Sequence, residues 1–264
     1  MLVDQGIILE AIERYKPRKV FALFSGGLDS LTSTHTAMAS GLVDGVVHIA
    51  TGTGIPETEQ YVRDTASHLR WDLHIYRPPL DIETGQRGEQ YRNMVLKHGF
   101  PGPGAHRFTY TLLKERPLRA LLRDYKEKRS DHIILITGVR SQESTRRMGH
   151  VEPIQKDGSK VWVAPIHAWS KLDCRQYADA HGLEINPVVD LLRMSGECLC
   201  GAFAKEGEKA EIRCWYPQVA GWIDGLEADA KQAGMPSVWG RRPSTHRLSP
   251  VPGMLCQDCG VVTP

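Results

Sequence analysis

Apolar and polar positions run along this chain in blocks whose period changes from helical to extended and back. Over residues 4–16, Ile7, Ile8, Ala11 and Ile12 recur at helical spacing, and Pro17 ends the pattern. Val20-Phe21-Ala22-Leu23-Phe24 follows, an unbroken β-prone run bounded by breakers, as a strand buried on both faces of a parallel sheet requires. Ser25-Gly26-Gly27 turns the chain into a helix over 28–40 that Gly41 closes. The alternation repeats: a strand at 46–50, a loop at 51–56, a helix over 57–69 and a strand at 72–76. A long helical stretch covers 110–128, with Pro117 marking a kink or restart, and a further strand spans 132–136.

Strands and helices alternating at this spacing specify an α/β fold, a doubly wound parallel sheet. Such sheets bind ligands beyond the carboxyl ends of their strands. The loops at 25–30, 51–56 and 138–140 all fall there and are expected to converge on one site. After Trp169 the pattern shortens to a helix over 172–181, a cysteine-rich segment, a helix near 218–231 and a tail rich in Pro, Gly and Arg. Residues 1–190 are therefore expected to form the sheet domain, and 191–264 a small cysteine-rich C-terminal appendage with little core of its own.

Composition narrows the class. With 41% hydrophobic residues and a net charge of +2, the chain is too apolar for disorder and too close to neutral for a general nucleic-acid coat. Its longest apolar runs fall far short of the ~20 residues of a membrane span. Asp4 and Glu10 interrupt the early apolar stretch, so it does not read as a secretory signal, and a cytoplasmic location is expected. The six cysteines are unevenly placed: Cys174 stands alone, whereas Cys198, Cys200, Cys214, Cys256 and Cys259 crowd the last quarter. In a reducing compartment that pattern favours metal, cluster or redox chemistry over structural disulfides.

Ser25-Gly26-Gly27-Leu28-Asp29-Ser30 carries the sharpest chemistry. Its glycines permit positive φ and a close backbone approach, the helix start offers N–H groups and a favourable dipole, and Ser25 and Ser30 add hydroxyls. Asp29 would repel a phosphate unless a cation such as Mg²⁺ intervened; the plainer role for it is a helix cap. Arg140, at a strand end with Arg146 and Arg147 close behind, has the planar fork that pairs with phosphate or sulfate, or else makes a surface ion pair.

These segments together resemble the phosphoadenosine phosphosulfate (PAPS) reductase family of the adenine-nucleotide α-hydrolase, or PP-loop, superfamily. Residues 25–30 look like its pyrophosphate loop and 51–58 like its second nucleotide loop, with Thr51 in place of the usual Asp. Residues 113–118 are similar to its LKxxPL helix, 138–146 to its GxRxxQSxxR loop, and 165–170 and Asn186-Pro187 to its P-x-x-x-W and NP elements. The resemblance implies that Ser25, Gly26, Gly27, Leu28, Asp29 and Ser30 hold phosphates of an adenine nucleotide. It places Thr51 and Gly52 beside the adenosine, and Gly138, Arg140, Gln142 and Arg146 toward the anionic end. Asp29, Lys114 and Arg140 become the catalytic candidates.

Two departures bear on activity. The family's Glu-Cys-Gly-Leu-His tail is absent, and Thr109-Tyr110 stands where the adenylylsulfate branch carries adjacent cysteines. In their place come Cys198, Cys200, Cys256 and Cys259, with Cys214 as a substitute ligand. Four thiolates suit a [4Fe–4S] cluster or Zn²⁺, and Cys256/Cys259 alone suit a dithiol redox pair. Similarity to members acting in sulfur transfer, including the ATP pyrophosphatase of DNA phosphorothioation, favours the cluster. The expected activity is cleavage of ATP, with Mg²⁺, to AMP and pyrophosphate, activating an acceptor for sulfur delivered by a donor protein. Sulfonucleotide reduction with release of sulfite, and a non-catalytic nucleotide-sensing subunit of a DNA-modification complex, are the alternatives. Arg241, Arg242 and Arg247, with Trp215 and Trp239, leave a nucleic-acid partner open. Cys174, His35, His48 and His106 read as structural.

Overall fold

The computed structural model describes residues 6–142, 152–235 and 237–240. In chain order the elements are α1 (Gly6–Tyr15), β1 (Lys19–Leu23), α2 (Leu28–Ala39), β2 (Gly45–Ile49), α3 (Pro56–His68), β3 (Leu73–Tyr76), α4 (Pro79–Thr84) and α5 (Glu89–His98). A short α6 (His106–Tyr110) runs through a π-helical turn at Thr111–Glu115 into α7 (Arg116–Tyr125). Then come β4 (Ile133–Ile136), β5 (Ile154–Asp157), β6 (Lys160–Val163), α8 (Lys171–Ala180), α9 (Pro187–Leu192), α10 (Glu208–Trp215) and α11 (Pro217–Gln232).

One six-stranded sheet in the order β3-β2-β1-β4-β6-β5 organises the chain, all parallel except the edge strand β5. β1 and β4 lie at its centre and are apolar on both faces, as covered parallel strands must be. The chain leaves β1 toward β2 on one side and reaches β4 on the other, so the switch point where such folds bind ligands lies between these two strands. Among the described residues no helix is long and apolar enough to cross a membrane.

Helix α2, which starts at this switch point, is polar in composition yet almost wholly buried. Its hydroxyls make that possible by donating to neighbouring carbonyls: Ser33 to Thr137 at 2.9 Å and Thr32 to Cys174 at 3.3 Å. The helix is thereby locked both to the end of β4 and to α8.

The segment beyond α9 builds its core jointly with the sheet domain. Leu199, Ile212, Tyr216, Val219, Ile223 and Trp239 pack with Ile55 and Val188 in one apolar cluster. Leu226 and Ala230 of α11 join Tyr91, Met94 and Leu113 in a second. Burial of these side chains against α5 and the π-helical turn holds the segment to the sheet domain.

At the far edge, Glu59 on α3 accepts hydrogen bonds from Arg77 and, at 2.8 Å, from Arg63. Burial works against its charge, but the two guanidiniums prevail and hold its carboxyl at about 2, below the usual 4.5. A depressed folded-state pKa gives stability that is present above the unfolded value and lost as pH falls through the folded one. Acid unfolding curves of the wild type should therefore lose stability between about pH 4.5 and pH 2. Glu59→Gln should flatten that stretch.

Candidate functional site

The loop after β1 is built by its own small residues. Gly26 sits at φ +81°, where a Cβ would meet Thr58 Cγ2 at 2.8 Å. Ser25 Oγ donates to Ser30 Oγ at 3.0 Å, and Ser30 Oγ donates to the Gly27 carbonyl at 2.9 Å, closing the turn. Gly27 is the N-cap of α2 and supplies no side chain, so Asp29 is not the cap. First-turn N–H groups of a helix have no intrahelical acceptor, and with the dipole they suit an anion. Asn186 braces the loop from behind: its Nδ2 donates to the Gly26 carbonyl at 3.0 Å while its Oδ1 accepts from Val188 N to cap α9. Sequence reading quoted this asparagine without giving it a role; the Asn-Pro pair before a helix is the signal.

Gly138, just past β4, touches the same loop. A Cβ there would lie 2.6 Å from the backbone of Asp29. Two residues on, Arg140 turns back to the loop, donating from Nη2 to Asp29 Oδ2 at 3.0 Å and from Nη1 to the Trp169 carbonyl at 3.4 Å. The Arg140 and Asp29 side chains are 7% and 11% exposed, so the surface ion-pair reading is corrected to a buried pair at the head of α2. Cys174, buried behind it, has its thiol pushed up to about 12 by burial and by the Asp29 charge, as befits a structural residue.

The second motif loop holds the cysteine segment. Ile55 N donates to the Gly196 carbonyl at 2.7 Å, Thr51 Oγ1 to that of Glu197 at 2.8 Å, and Thr58 Oγ1 to that of Ser195 at 2.7 Å. From the other side Tyr91 donates to Cys200 O and Trp239 Nε1 to Leu199 O, each at 2.8 Å. Thr51 thus spends its hydroxyl on docking. Gly52, at φ +79°, lies against Asp81 and Gly88, and Trp239 is buried rather than presented for stacking.

That docking delivers two further groups. Lys114, on the π-helical turn, donates from Nζ to Glu197 Oε2 at 2.8 Å, with side chains 6% and 7% exposed. Despite burial, Glu197 and Cys198 raise the lysine's pKa, so it stays charged. π-Turns recur at functional sites because they re-aim a side chain out of helical register. Beside this pair the Cys200 thiol donates to Cys198 and, with Lys114, holds the Cys198 thiol below its usual range, while Cys200 is raised. Asp29, Arg140, Gln142, Lys171, Cys198 and Cys200 line one cleft of about 720 Å³. Glu197 and its pairing with Lys114 were not foreseen.

Among the described residues no group of three or more His, Cys, Asp or Glu side chains is arranged to hold a metal ion. Cys214 is exposed on α10, two residues and hence about 200° around the helix from buried Ile212. Cys256, Cys259, Arg146 and the 241–247 arginine stretch lie outside the described residues. His48, hydrogen-bonded to Phe24 O, His106, edge-on to Phe203, and His35, beside Tyr177, have structural surroundings.

Residues 19–193 match the model of the phosphoadenosine phosphosulfate reductase domain. The chain belongs to that family. Curated relatives include phosphoadenosine 5′-phosphosulfate reductases of Xanthomonas axonopodis pv. citri, 27% identical over 143 residues (54% of each chain), and of Xanthomonas campestris pv. campestris, 25% identical over 175 residues (66% of this chain, 68% of the relative). The chain spans about half the length of the first of these. A crystal structure of phosphoadenylyl-sulfate reductase from Candida auris, in a phosphate complex, is similar over 72% of this chain and 85% of that one, at 20% identity and a TM-score of 0.54. The PAPS reductase domain match takes in all the motif loops yet ends before Cys198.

Proposed function

We propose that this chain is a PP-loop enzyme that binds an adenine nucleotide over the Ser25–Ser30 loop and couples its cleavage to sulfur chemistry at Cys198. One observation carries the reading: a thiol held below its usual range shares a cleft with Asp29 and Arg140 at the head of α2. In the first step the acceptor's oxygen attacks the α-phosphorus of ATP and pyrophosphate leaves. The outer sulfur of a Cys198 persulfide, loaded by a sulfur-donor protein, then displaces AMP from the acceptor. Cys200 attacks the mixed disulfide so formed, which frees the acceptor thiol and leaves a Cys198–Cys200 disulfide for an external dithiol to reduce. The protein's part is placement and charge stabilisation. The loop N–H groups hold the β- and γ-phosphates, and Arg140 fixes Asp29.

Asp29 Oδ1 is buried with no hydrogen-bond partner among the described residues, which suits a ligand to Mg²⁺; the ion would neutralise phosphate charge. Cys198 and Cys200 offer two soft donors toward a [4Fe–4S] cluster or Zn²⁺, and Cys256 and Cys259, outside the described residues, would have to supply the other two. The described residues do not assemble such a set, and no step is assigned to it. Reduced thiols fit a cytoplasmic setting, and a sulfur-donor protein would load the cleft.

Incubation with ATP and Mg²⁺ across a panel of acceptors should give AMP and pyrophosphate. Cys198→Ser should lower sulfur transfer at least tenfold, as loss of a nucleophile does, while leaving ATP binding intact. Release of ADP, or no cleavage with any acceptor, would sink the reading. The reductase activity of the curated relatives, together with the lowered Cys198 thiol, favours one second reading, attack of Cys198 on a sulfonucleotide. Sulfite release from PAPS or adenylylsulfate with a dithiol reductant would establish it instead.

A further inference from the structure

Beside the phosphate loop, at the ends of β1, β2 and β4, lies a recess of about 40 Å³ lined by Ser25, Ser30, Lys114, Thr137, Gly138 and Glu197. Glu197 enters it from the docked cysteine segment. Its backbone is fixed at Gly196 by Ile55 and at its own carbonyl by Thr51, and its side chain is held by Lys114. Oε2 accepts from Lys114, whereas Oε1 is buried with no hydrogen-bond partner among the described residues. A buried carboxylate oxygen without a donor is costly, so this atom calls for a ligand proton.

We propose that Glu197 is a specificity-determining residue whose Oε1 accepts a hydrogen bond from a ribose hydroxyl of the bound nucleotide. The proposal rests on the adenine-nucleotide reading above and deepens it. The donors on an adenine nucleotide are its ribose hydroxyls and the amino group of its base. A recess of about 40 Å³ holds little more than a water molecule, so it admits one small donor group, and its place decides between hydroxyl and amine. Ser25 and Ser30 on its wall place it next to the phosphate loop, where the sugar of a nucleotide held by its phosphates must lie.

A phosphate ester at the same ribose position has the wrong properties. It is too large for the recess and, at neutral pH, has essentially no proton to give. Its charge repels the carboxylate, and Lys114 is already neutralised by Glu197. Glu197 therefore admits nucleotides with free ribose hydroxyls, such as ATP or adenylylsulfate, and rejects those phosphorylated there. Because the next residue is Cys198, the same contact sets where the thiol stands relative to the nucleotide.

Calorimetric titration of the full chain with AMP, 2′-deoxy-AMP, 3′-deoxy-AMP and adenosine 3′,5′-bisphosphate tests this. Loss of a hydrogen bond to a charged group predicts that one deoxy analogue and the bisphosphate bind roughly tenfold to a hundredfold more weakly than AMP. In Glu197→Gln, checked for folding by its thermal transition, the gap between AMP and the bisphosphate should narrow. Equal affinities for AMP, both deoxy analogues and the bisphosphate in the wild type would overturn the proposal while leaving nucleotide binding in place. Failure of all four, and of ATP titrated beside them, to bind would overturn both, so the two failures are distinct.

Discussion

Lys114→Met is expected to destabilise the fold by about 3–5 kcal/mol, the usual cost of leaving one member of a buried ion pair without its partner. The pair is buried on both sides, with Nζ and Oε2 at 2.8 Å and exposures of 6% and 7%. Methionine keeps the length and apolar stem of lysine, so the loss isolates the charge. Lys114→Met/Glu197→Gln should recover a large part of that loss, because a neutral amide in place of the carboxylate removes the unpaired charge. Urea unfolding of the wild type, both single variants and the double variant measures the coupling directly. The exposed pair Arg175–Asp190 gives the contrast: its members are 49% and 58% exposed, and breaking it should cost under about 1 kcal/mol. A Lys114→Met loss no larger than that would mean the pair is solvated and does not anchor the cysteine segment.

The same pair shows what a sequence conceals. β1, β2 and β4 were legible because apolar runs bounded by breakers leave few alternatives, and the loops after them follow from the rule that ligands gather at strand ends. Lys114 and Glu197 are 83 residues apart, and no period or motif connects a lysine on a π-turn with a glutamate before a cysteine. Tertiary packing alone brings them together. The helices α4, α5, α9 and α10 were also missed, being short or weakly patterned. The β5–β6 hairpin was missed for a different reason: its signal, Asp157-Gly158-Ser159 with Gly158 at φ +61°, is present in the chain and went unread. Gln142 and Arg140 were placed by motif, but the partner that Arg140 takes, Asp29, could be read only from how Gly138 lets the two loops meet.

Gly54→Ala is the second substitution from which a large effect is expected, because it strikes the contact between the motif loop and the thiols. An added Cβ would fall 2.2 Å from the Glu197 carbonyl oxygen and 2.6 Å from that of Gly196. Both obstacles are backbone, so no rotamer change relieves them. Either strain is retained, at about 3 kcal/mol for overpacking of this kind, or residues 195–198 lift away from Thr51 and Ile55. Lifting would break the bonds from Thr51, Ile55 and Thr58 and carry Glu197 out of its recess. Each 1.4 kcal/mol lost from the docked state raises the undocked population about tenfold, so alkylation of Cys198 should quicken at least that much. Gly104→Ala is the control: nothing lies within 4 Å of its added Cβ, and stability should move by no more than about 0.5 kcal/mol. If Gly54→Ala melts and alkylates like Gly104→Ala, the close approach of the cysteine segment to the motif loop is absent in solution. The coupling between nucleotide and thiol proposed here then has no structural basis.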